Sequence, residues 1–142
     1  MKAVFADTGF WIALLNKRDR WHQQAIKIYQ QLNNQKKKII TSEMVLTEFL
    51  NFFSKFAPEI RKEAGLTVKR MQNHPNIIII VQNNKQFSQA LDLYLKRLDK
   101  GWSLTDCTSF QIMENLYLTE ALAHDKHFQQ AGFITLLKEE NL

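Results

Sequence analysis

Short apolar runs alternate along the chain with longer stretches in which apolar residues recur at helical spacing. Lys2 to Ala6 is an apolar run closed by Asp7-Thr8-Gly9, which reads as a strand and a turn. Phe10 to Leu15 predicts a short helix, and Trp21, Ala25, Ile28, Tyr29 and Leu32 mark a longer one. Lys38 to Thr41 is the second strand, after which Ser42 offers an N-cap to a helix running to about Phe56. Pro58 and Glu59 break that helix and open another, which ends near His74-Pro75. Ile77 to Val81 is an unbroken aliphatic run, the pattern of a strand covered on both faces. Phe87, Ala90, Leu91, Tyr94 and Leu98 predict a further helix stopped around Gly101, and Ser103 opens another reaching Tyr117. Ala121 to His124 and Ile134 to Leu137 are the last two strands, separated by a short helix.

This alternation predicts the α/β class: a single three-layer α/β/α domain over residues 1–142 with a mostly parallel central sheet. No repeat, low-complexity stretch or linker interrupts it. In open sheets of this kind the functional crevice lies beyond the carboxyl ends of the strands. Asp7 and Asp125 each follow a predicted strand, so both are expected in that crevice.

Two further acids stand on apolar faces. Glu48 has Met44, Val45 and Phe52 as its i−4, i−3 and i+4 neighbours, and a carboxylate buried there is costly unless a cation compensates it. The alternative for Glu48 is an edge position reaching solvent, or a lysine partner. Glu43 lies roughly 140° away around the same helix and suits the helix dipole, so it carries no site role. Asp106 follows Ser103 by three residues, the spacing of a capping box, yet it shares a stripe with Phe110, Met113 and Tyr117. Asp7 and Asp125 also have a local reading, since Asp often closes a strand or caps a helix. Taken together, four acids at two strand ends and on two inward helix sides form a specific arrangement.

Composition narrows the chemistry. With 45% hydrophobic and 23% charged residues the chain has ordinary globular usage, and 142 residues suffice for a core. Cys107 is the single cysteine, which excludes an internal disulfide and fits a reducing cytoplasm. No signal-peptide core or membrane-length apolar run is visible, so a cytoplasmic protein is expected. The formal charge of +5, from 19 Lys and Arg against 14 Asp and Glu, suits a polyanionic partner. Clustered carboxylates within a basic protein point to a bound cation. Mg²⁺ takes oxygen ligands from a few carboxylates and substrate phosphates, and such an ion lowers the pKa of a bound water. No zinc-type His/Cys spacing and no glycine-rich phosphate loop is present.

At these positions the sequence resembles the PIN-domain nucleases, particularly the VapC-like toxins of toxin–antitoxin modules. The resemblance covers almost the whole chain. It is carried by Phe5-Ala6-Asp7-Thr8-Gly9-Phe10-Trp11, by Thr41-Ser42 through Thr47-Glu48-Phe49, by Ser103-Leu104-Thr105-Asp106-Cys107, and by Ala123-His124-Asp125-Lys126-His127-Phe128 with Ala131-Gly132-Phe133. It implies that Asp7, Glu48, Asp106 and Asp125 bind the metal and serve catalysis, with Mg²⁺ or Mn²⁺ as cofactor. It further implies hydrolysis of RNA, an antitoxin partner and a homodimer. Other members of the family mature or degrade RNA without a toxin role, or bind RNA or protein without cutting. A phosphotransfer domain would also place Asp7 after its first strand, but it needs a second acid where this chain has Gly9.

The remaining polar residues divide by place. Lys36, Lys37 and Lys38 precede a strand and are expected at the far end of the sheet from the acids. Arg97, Lys100 and Lys126 lie near the acidic segments and are candidates for phosphate contacts. Thr8 and Thr105 stand beside acids, placed for a site contact or for local capping. Asp99 reads as peripheral. His22, His74, His124 and His127 lack ligand spacing and read as structural. Phe49, Phe52, Phe53 and Phe56 cannot all face the core of one helix, which leaves some of them, with Trp11, for a partner surface.

Overall fold

A computed structural model describes residues 2–142, and Met1 lies outside the described residues. Five strands form one all-parallel sheet: β1 (Ala3–Ala6), β2 (Lys38–Ser42), β3 (Ile77–Ile80), β4 (Glu120–Leu122) and β5 (Ile134–Thr135), in the order β3-β2-β1-β4-β5. The connecting helices are α1 (Thr8–Leu15), α2 (His22–Asn34), α3 (Glu43–Phe53), α4 (Pro58–Gln72), α5 (Asn84–Lys96), α6 (Leu104–Asn115) and α7 (Lys126–Gln130). The predicted α/β class and parallel sheet are what the chain adopts. The chain builds leftwards from β1 to β3 and then crosses to β4, so the order reverses between β1 and β4. That reversal opens a crevice at their carboxyl ends. β1 is buried along its whole length, and the core around it is filled by Phe5, Phe10, Trp11, Phe49, Phe53 and Phe128.

Local chemistry sets the helix ends. The Ser42 hydroxyl accepts from the Val45 amide at 3.1 Å, as its N-cap assignment predicted. α3 stops at Phe53 and not near Phe56, because Ala57 precedes Pro58 and is held extended at ψ 148°. α6 ends at Asn115 in a left-handed turn: Tyr117 sits at φ 56°, with Leu118 N donating to Met113 O at 2.8 Å and Tyr117 N to Glu114 O at 3.2 Å. Tyr117 is therefore 92% exposed and does not continue the Asp106, Phe110, Met113 stripe. Gly132, at φ 95°, closes α7 with the same bond pattern, here at a residue that pays no Cβ penalty.

Three other expectations change. β3 is an edge strand, and Ile78 to Ile80 are only half-buried, since unbroken apolarity does not distinguish an edge position from a central one. The α5 stripe is largely uncovered: Phe87, Leu91, Tyr94 and Leu98 are exposed, while Ala90 is buried. Trp11 leaves the supposed partner surface, being buried with its indole N–H donating to Thr41 Oγ1 at 3.1 Å. Lys36 to Lys38 lie at the amino end of β2, opposite the crevice, as expected.

Candidate metal centre

Each acid is delivered by a different element. Asp7 is the residue after β1 and the N-cap of α1; its amide donates to Leu122 O at 3.1 Å, tying it to the end of β4. Glu48 stands mid-way along α3, half-buried. Asp106 is in the first turn of α6, and Asp125 is the N-cap of α7, separated from β4 by Ala123 and His124. All four line one hollow of about 310 Å³, together with Thr8, His124 and His127. The structure thus brings the four sequence-predicted acids into one place. Glu48 has no lysine partner; Thr8 Oγ1 donates to its Oε1 at 2.6 Å.

The electrostatics of the hollow are unfavourable without a cation. Burial pushes the Asp7 carboxyl up from 3.8 to about 7; the Thr8 amide opposes this, and the charges of Asp106, Glu48 and Asp125 add to it. Burial also raises Asp106, against the Ser103 amide and the His127 imidazole. Asp7 has no ion-pair partner among the described residues. Both readings of Asp106 hold at once. Ser103 Oγ accepts from the Asp106 amide at 3.0 Å and the Ser103 amide donates to Asp106 Oδ2 at 3.1 Å, a complete capping box that also aims the carboxylate at the hollow.

Two residues belong here that the sequence reading set aside. His127 Nδ1 lies 2.9 Å from Asp106 Oδ2 and 3.4 Å from Asp125 Oδ2. Its backbone amide donates to Asp125 Oδ1 at 2.9 Å. The signal was the Asp125-x-His127 step at a helix start, where the N-cap turn puts both side chains on one side. His124 lines the same hollow, its ring stacked on Trp21 at 4.5 Å, and burial lowers its pKa. Gly9 leaves room for it: a Cβ there would lie 3.0 Å from His124 Nε2, a contact that the ring would have to shift to relieve. Of the basic candidates, Arg97 is held by both oxygens of Asp99 at 3.0 and 3.1 Å and lies over the Trp102 ring. Asp99 is accordingly a surface ion-pair partner, outside the hollow. Arg97 and Lys100 border a second hollow of about 710 Å³, which meets the acidic one at Gly101 and Ser103.

A carboxylate-rich pocket at the switch point of a five-stranded parallel sheet defines a class, and the comparisons place the chain within it. The PIN domain model matches residues 4–134, so the chain belongs to the PIN domain family. It is 25% identical over 136 residues to the 23S rRNA-specific endonuclease VapC20 from two strains of Mycobacterium tuberculosis, spanning 96% of this chain and 99% of that protein. The crystal structure of Mycobacterium tuberculosis VapC20, described as a Sarcin-Ricin loop cleaving toxin, superposes with a TM-score of 0.80. It is 24% identical and the match covers 95% of this chain and 99% of that one.

Proposed function

We propose that this PIN-domain protein is a divalent-metal-dependent endoribonuclease and the toxin of a toxin–antitoxin pair, working in the cytoplasm. The observation that carries the metal assignment is the hollow itself: four carboxylates, two of them (Asp7 and Asp106) buried with their pKa raised, gathered with no lysine or arginine lining it among the described residues. An all-oxygen carboxylate set of this kind fits Mg²⁺ or Mn²⁺. Asp7, Glu48, Asp106 and Asp125 hold the ion, and bound there it supplies an activated water and neutralises charge on the phosphate being cleaved. The fold keeps Asp7 fixed through the hydrogen bond from its backbone N–H to Leu122 O at the end of β4, Thr8 holds Glu48, and the capping box holds Asp106. The neighbouring hollow with Arg97 and Lys100 continues the line along which an RNA strand would lie. The full-length similarity to an RNA-cleaving VapC supports RNA as the substrate class.

Two surfaces support protein partners. A groove of about 520 Å³ between the α1–α2 turn and the α3–α4 pair is walled by Leu15, Phe53, Phe56 and Ile60, and suits the apolar side of an antitoxin segment. The uncovered apolar face of α5 suits a second copy of the chain, giving a homodimer. Among the described residues no helix is long and apolar enough to cross a membrane.

The test is cleavage of RNA by the purified chain with Mg²⁺ or Mn²⁺, stopped by EDTA. A double variant Asp7→Asn, Asp106→Asn is expected to fold and lose activity. Full cleavage by that folded variant would overturn the metal assignment. Expression alone and with the product of the adjacent gene tests the toxin role: growth arrest that depends on Asp7 and is relieved by the neighbour is the expected result.

A further inference from the structure

Resting on the metal reading above, we infer that His127 is itself a metal ligand, and that its nitrogen makes the site select a first-row transition ion such as Mn²⁺ over Mg²⁺. The imidazole stands inside the acid cluster. One ring nitrogen, an oxygen of Asp106 and an oxygen of Asp125 lie within 4.8 Å of one another, and Nδ1 is 2.9 Å from Asp106 Oδ2 and 3.4 Å from Asp125 Oδ2. Neighbouring ligands of a six-coordinate ion with bonds of about 2.1 Å are separated by about 3.0 Å, √2 times the bond length. Nδ1 therefore stands from each carboxylate at close to the spacing of an adjacent ligand around one ion.

Their surroundings keep them so. The His127 amide fixes Asp125 Oδ1, which turns Oδ2 towards the imidazole, and the Ser103 amide fixes Asp106. Asp106 Oδ1 accepts no hydrogen bond among the described residues and is free for a cation. To hold an ion through Nδ1, the imidazole would carry its ring proton on Nε2. Mg²⁺ prefers oxygen and gains little from such a nitrogen, whereas imidazole suits transition ions.

The experiment compares Mn²⁺ and Mg²⁺ binding to the full chain without RNA, by calorimetry, and reads nitrogen coupling in the Mn²⁺ electron spin-echo spectrum. His127→Asn retains an N–H near the place of Nδ1 and can still bond Asp106, but offers no nitrogen ligand. The expected results are Mn²⁺ binding at least about tenfold tighter than Mg²⁺ in the native chain, with imidazole nitrogen coupling. His127→Asn should lose the coupling and about tenfold in Mn²⁺ affinity, with less than about threefold change for Mg²⁺. His127→Gln, with circular dichroism on both variants, guards against a folding defect. Mn²⁺ binding without nitrogen coupling, or an unchanged Mn²⁺ to Mg²⁺ ratio in a folded variant, overturns this inference and leaves the carboxylate site standing. Absence of any divalent binding that depends on Asp7 overturns both.

Discussion

Asp7→Asn is expected to abolish cleavage and, in the metal-free protein, to raise stability. The carboxyl has a value near 3.8 in the unfolded chain and about 7 in the fold. A raised folded value means that the native state keeps the proton longer than the unfolded state. Stability is therefore lost as pH climbs from about 4 to about 7, and the loss is complete above that. At about 1.36 kcal/mol per unit, the full penalty is about 4 kcal/mol. Asn has no such titration, so its advantage should grow between pH 5 and pH 8 by roughly 2–3 kcal/mol. For a domain of this size that is about 6–12 °C in melting temperature. The assay is thermal or urea unfolding of both proteins in EDTA at the two pH values. Saturating Mn²⁺ should then raise the native protein more than the variant, since a ligand that binds only the folded state stabilises it. If Asp7→Asn melts with the same pH dependence as the native chain, the carboxyl is not the strained group described here.

Two further outcomes follow from single contacts. Thr8→Val removes the 2.6 Å bond to Glu48 while keeping the shape of the side chain, and should lower the cleavage rate about tenfold with the melting temperature little changed; an unaffected rate removes Thr8 from the site. Gly9→Ala puts a Cβ 3.0 Å from His124 Nε2 and should cost about 1–3 kcal/mol in unfolding experiments, with the His124–Trp21 stack displaced in nuclear magnetic resonance spectra; equal stability means that the ring yields freely.

The order of elements was legible because each has its own period and its own stop. Ser42 and Ser103 cap helices with the side-chain bonds that their positions suggested. What a strand or helix finally packs against was less legible. The isoleucines of β3 have the composition of a central strand but stand at the edge, and α5 has a helical stripe of which Phe87, Leu91 and Tyr94 stay exposed. Apolar periodicity records which residues avoid water. It does not record whether their own chain or another surface covers them.

The site was legible for a different reason, which also accounts for what was missed. An acid on an apolar face conflicts with its surroundings, and that conflict is visible in the sequence at Glu48 and Asp106. In the fold, burial raises the carboxyls of Asp106 and of Asp7. Thr8 and His127 produce no such conflict. A threonine beside an N-cap and a histidine two residues into a helix are ordinary local choices, and their site contacts are made to residues 40 and 21 positions away. Tertiary packing closes those distances: Thr8 meets Glu48 because α1 and α3 follow the neighbouring strands β1 and β2, and His127 meets Asp106 where α7 packs on α6. The fold thus buries these carboxylates together and also supplies Thr8 and His127, the groups that hold Glu48 and Asp106 in position. A variant that removes the buried charge, such as Asp7→Asn, and one that releases a holding contact, such as Thr8→Val, should therefore both reduce activity, while the first raises stability in the metal-free protein and the second leaves it little changed. That separation distinguishes a site built at an energetic cost from an acidic patch that arose by chance.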